Sequence, residues 1–81
     1  MPPSAKRDDA LLVMAWLATH PGSDANTLGR IITDGGTVQF VSNRGSRVAG
    51  ELRRFGYVEA RREGSRLLYT LTLAGRRALK G

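Results

Sequence analysis

The chain has 81 residues, with 13 Lys+Arg against 7 Asp+Glu, a formal net charge of +6, one histidine and no cysteine. That length supports one domain without a cleft between domains, and the missing cysteines exclude disulfides, thiolate metal sites and cysteine nucleophiles. A 41% hydrophobic content suits a globular core, and the longest apolar run, Ala10 to Ala18, is far short of a membrane span.

Residues 1–7, with Pro2, Pro3 and Ser4, read as a flexible tail ahead of a single domain over 8–80. Asp8 or Asp9 is expected to cap a first helix that runs to about Thr19 and stops at His20-Pro21-Gly22. Ala10, Leu11, Met14, Leu17 and Ala18 share a face at helical spacing. Leu12 and Trp16 lie on nearly the opposite side and are candidates for a homodimer interface, unless the C-terminal helix of the same chain covers Trp16. Ser23 and Asp24 open a short second helix carrying Leu28, Ile31 and Ile32, and Asp34-Gly35-Gly36 ends it.

Thr37 to Val41 is compatible with a strand, a loop or the first turn of the next helix. As a loop, it offers Thr37 and Gln39 as donors to phosphate. The third helix is expected over about 42–55, closed by Gly56, with Val41, Val48, Leu52 and Phe55 inward and Phe40 also in the core. Asn43, Arg44, Ser46, Arg47, Gly50, Arg53 and Arg54 are its candidate ligand-contacting residues. Gly50 is unfavourable in a helix by about 1 kcal/mol relative to Ala. Close approach to a ligand backbone accounts for it, and so does close helix packing.

After Gly56 the period of the pattern changes from 3.6 to 2. Residues 57–62 and 66–71 read as strands joined at Gly64-Ser65 in a type II′ turn, with Val58 opposite Leu71 and Ala60 opposite Tyr69. Arg61, Arg62, Ser65 and Arg66 gather at the tip. Tyr57 and Tyr69 read as half-buried hairpin residues. Thr72 caps a last helix over Leu73 to Lys80.

Charge is segregated along this order. Residues 1–40 hold Lys6, Arg7 and Arg30 against Asp8, Asp9, Asp24 and Asp34, a net −1. Residues 41–81 hold nine arginines and Lys80 against Glu51, Glu59 and Glu63, a net +7. Arginine's planar fork matches phosphates and guanine edges, and such segregation is the footprint of a polyanion binder. Three helices, a hairpin and a helix, with a basic third helix and a basic hairpin tip, give a mainly α winged helix-turn-helix with the wing over about 57–71. The third helix then enters the major groove of double-stranded DNA, where Arg47 suits guanine and Asn43 adenine. Arg53, Arg54 and the hairpin arginines lie on backbone or in the minor groove.

Gly56-Tyr57-Val58-Glu59, Arg61-Arg62-Glu63-Gly64-Ser65-Arg66, Leu68-Tyr69-Thr70-Leu71-Thr72 and Gly75-Arg76-Arg77-Ala78-Leu79 together resemble the wing of MarR-type bacterial repressors. PadR-type regulators share that wing. The resemblance implies a DNA-binding transcriptional regulator or repressor. The Leu12 and Trp16 side of the first helix is expected to make it a homodimer, and with no signal-like start it is expected in the cytoplasm, at the nucleoid. MarR-type proteins also carry long flanking helices that form the dimer and an effector pocket. These 81 residues hold no such helices, so effector sensing is not carried over. An architectural or partition-type DNA-coating protein and a winged-helix protein-interaction module are the alternatives. His20, Asp24 and the serines lack a nucleophile elbow, and Gly35-Gly36 lacks the Lys-Ser/Thr of a phosphate-binding loop, so no enzyme, cofactor or metal is expected.

Overall fold

A computed structural model describes residues 4–33 and 36–80, with the backbone alone for residues 4–7. The first helix, α1, spans Ser4–Thr19. It begins four residues before the expected start, so Asp8 and Asp9 lie on the helix instead of capping it. Its inward face is Val13, Met14 and Leu17, with Ala10 and Ala18 half-buried beside them. Leu11, expected on that face, is 43% exposed, because the stripe is centred on Val13 and Leu17.

Helix α2 spans Ala25–Ile32. Asp24 caps it, its carboxylate accepting from the Thr27 N–H at 2.9 Å. Leu28 and Ile32 are buried. The expected stop at Asp34-Gly35-Gly36 falls partly outside the described residues. Helix α3 spans Val38–Arg54. Thr37 is its N-cap, accepting from the Phe40 N–H at 3.1 Å, so the ambiguous stretch is the first turn of this helix and Gln39 lies on it. Starting at Val38 sets the inward line as Val41, Gly45, Ala49 and Leu52. Phe40 and Phe55 fall beside that line, not on it. They are 53% and 71% exposed, which corrects their assignment to the core.

Two glycines let α2 and α3 cross closely. A Cβ on Gly29 would collide with the Val41 carbonyl, and one on Gly45 with the Ala25 carbonyl. Helix α3 ends in a Schellman turn: the Tyr57 N–H bonds the Leu52 carbonyl and the Gly56 N–H bonds that of Arg53, both at 3.0 Å, with Gly56 at φ +83°.

Strands β1 (Val58–Glu63) and β2 (Arg66–Leu71) form an antiparallel hairpin with Val58 opposite Leu71 and Ala60 opposite Tyr69, in the expected register. Among the tip residues only Gly64 has positive φ, as a type II′ turn requires. The hairpin root is tied to the helices by the Tyr69 N–H on the Ser23 carbonyl at 2.8 Å. Helix α4 spans Leu73–Lys80 and packs mainly on α1 and β2. Thr72 caps it, accepting from the Gly75 N–H at 3.0 Å while its hydroxyl donates to the Gly56 carbonyl at 2.6 Å. One core of Val13, Leu17, Leu28, Ala49, Leu52, Val58, Tyr69 and Leu71 serves all these elements. The fold is a winged helix-turn-helix. Among the described residues no helix is long and apolar enough to cross a membrane.

Candidate nucleic-acid interface

The crossing of α2 and α3 buries one side of α3 and leaves the other open. Asn43, Ser46, Arg47, Gly50, Arg53 and Arg54 are all exposed on it, and Gln39 joins them one turn above Asn43. Gly50 sits amid this surface with nothing within 4 Å of where its Cβ would be. Helix packing therefore does not account for it; the packing glycines are Gly29 and Gly45.

Arg44 departs from the expected group. It turns toward α1 and pairs with Asp9 at 2.9 Å. Two hairpin arginines are likewise engaged, Arg61 with Glu63 at 3.1 Å and Arg66 with Asp24 at 2.7 Å. The second pair joins the wing to the cap of α2. Asp24 thus meets two demands: its bond to the Thr27 backbone and then its contact with Arg66 hold its carboxyl below the ordinary range, against the opposing effect of partial burial. Among the described residues no acid pairs with Arg47, Arg53, Arg54 or Arg62.

Arg62 and Ser65 of the hairpin, Ser42 and Ser46 of α3 and Asn26 of α2 line one open groove between wing and helices. Asn26 Nδ2 donates to Ser42 Oγ at 3.0 Å, leaving the Ser42 hydroxyl proton free to donate outward. Sequence reasoning missed both residues as site members. A polar residue at the second position of α2 and another on the wing-facing flank of α3 become informative only once the crossing is known.

Thr37 caps α3 as an acceptor, which leaves its hydroxyl proton free to donate, whereas Gln39 lies on the first turn of the helix and not in a loop. The two dimer candidates separate. Leu12 is 48% exposed, whereas Trp16 is half-buried against the core, stacks on His20 with ring centroids 3.6 Å apart, and donates Nε1–H to Ser23 Oγ at 3.0 Å. Trp16 is therefore not the bare surface aromatic that the helical wheel suggests. Among the described residues no three potential metal-ligating side chains come together.

No model of a known protein family matches the chain, and no curated protein sequence does. A solved structure does: the crystal structure of a predicted DNA-binding transcriptional regulator from E. coli superposes with a TM-score of 0.65. The identity is 24%, and the match covers 86% of this chain and 68% of that one. The likeness is one of fold.

Proposed function

We propose that this protein binds double-stranded DNA and acts as a small transcriptional regulator. The observation that carries the reading is the single open face of α3, which holds Asn43, Ser46, Arg47, Gly50, Arg53 and Arg54 beside the wing's Arg62 and Ser65. A helix lying in the major groove presents its outward side chains to base edges, and a hairpin beside it meets flanking phosphates. Arg47 and Asn43 then read bases, Arg53, Arg54 and Arg62 hold backbone, and Arg66 and Arg44 act mainly by orienting the elements that carry the contacts. The E. coli protein of like fold, a predicted DNA-binding transcriptional regulator, supports the same reading.

The regulator acts as a homodimer, with α1 contributing Leu11 and Leu12 as its exposed apolar residues. Two α3 helices then engage successive major grooves. Such a protein works in the cytoplasm, at the nucleoid.

Fluorescence anisotropy over a salt series tests the proposal, using a random duplex and one selected from genomic fragments. A steep salt slope on both, with about a thousandfold preference for the selected duplex, is the expected result. The same slope without preference favours a DNA-coating role. No binding to either duplex contradicts the proposal and directs attention to an acidic protein partner.

A further inference from the structure

Phe40 is out of place for a core residue. It is 53% exposed on the first turn of α3, on the open surface that also includes Asn43 and Arg47. Seven residues separate Phe40 from Arg47, close to two helical turns, so the two side chains lie on one line along the helix. Any docking that brings Arg47 to a base edge brings Phe40 into the same groove, near the start of the helix, where side chains reach deepest. Gly36, just before the helix, lies against one edge of the ring, where an added Cβ would come within 2.9 Å of it.

The major groove offers one apolar group to such a side chain, the 5-methyl of thymine. We infer that Phe40 is a specificity-determining residue that reads a thymine methyl, so that the preferred half-site pairs a guanine facing Arg47 with a thymine facing Phe40. The spacing follows from the helix. Seven residues rise about 10.5 Å along the helix, and because the helix lies inclined in the groove the two contacts fall within about three base pairs of each other. This inference rests on the DNA-binding reading above and adds a chemical feature of the target to it.

Single thymine-to-deoxyuridine replacement along a selected duplex tests it, because each replacement removes one methyl group and leaves every hydrogen-bonding group in place. Wild-type protein is expected to lose about fourfold in affinity at one thymine per half-site, the equivalent of about 0.8 kcal/mol for one buried carbon. That thymine should lie within about three base pairs of the guanine at which Arg47→Ala loses discrimination. Phe40→Ala should bind the thymine and deoxyuridine duplexes equally. A selected duplex indifferent to every replacement overturns this inference and leaves DNA binding intact. Equal sensitivity in Phe40→Ala also overturns it. Binding without preference for any duplex overturns the reading as a sequence-specific regulator, and this inference with it. A flat deoxyuridine scan of the wild-type chain overturns the inference by itself, and Phe40→Gln, which keeps a long side chain at this exposed position, replaces Phe40→Ala if that variant folds poorly.

Discussion

Gly45 and Gly50 stand five residues apart on α3 and meet opposite surroundings. At Gly45 the helix is pressed against α2, and a single added carbon would run into backbone at Ala25 and Gly29. At Gly50 the same helix faces open space. One glycine is required by the fold. The other weakens the helix and, within the protein itself, gains nothing in return. A helix that is closed on one side and bare, basic and locally thin on the other is built to receive something on its bare side.

Substitutions at these two positions should separate fold from function. Gly45→Ala should have the largest effect, lowering stability by about 3 kcal/mol through overpacking against α2, read as a fall in the urea midpoint. A Gly45→Ala protein as stable as wild type would mean that the crossing is looser than described. Arg47→Ala should keep the fold and reduce discrimination between selected and random duplex by about 1–3 kcal/mol, measured by anisotropy. Gly50→Ala should act with opposite signs on the two quantities. Stability should rise by about 1 kcal/mol, while duplex affinity should fall as the added methyl holds the helix back from the groove. If both rise, the open glycine has no role in contact.

The sequence made much of the fold legible because its local signals agree. Asp24 as a cap, Gly56 as a stop, Thr72 as a cap and Gly64-Ser65 as a turn each fix a boundary through a specific hydrogen bond or a positive φ. The hairpin register follows from strict alternation about that turn. What could not be read locally was which side of a helix meets its neighbour when apolar residues occur all round. Phe40 and Phe55 seemed internal because they are large and apolar, yet the inward line of α3 passes through the small residues Gly45 and Ala49. Glycines that permit a close crossing have no hydrophobic signature. The outward set Asn43, Ser46, Arg47, Gly50, Arg53 and Arg54 was legible by helical spacing. Asn26 and Ser42 were not, and neither was the pairing of Arg44 with Asp9 or of Arg66 with Asp24, because those contacts join segments distant in the chain.

Asp24 gives a smaller effect of the same kind as Gly45, a requirement of the fold adjoining the basic surface. Asp24→Ala should cost about 1 kcal/mol through the lost cap. Because the Asp24 carboxyl is held below its ordinary value of 3.8, its contribution is complete above that value and is lost as the pH falls through the lower folded-state value. Asp24→Asn keeps a cap acceptor without the charge, so its acid unfolding profile should be flatter than that of wild type. Arg62→Ala should have the mildest effect, weakening all duplexes alike and reducing the salt slope by about one.

The most direct measurement is an NMR titration of the labelled protein with a selected duplex, following the backbone amides. The largest shifts are expected on Gln39 to Arg54 along the open face of α3 and on Arg61 to Arg66 of the wing, while Arg76 to Lys80 on α4 change little. Shifts concentrated on α4, with α3 unmoved, would contradict it.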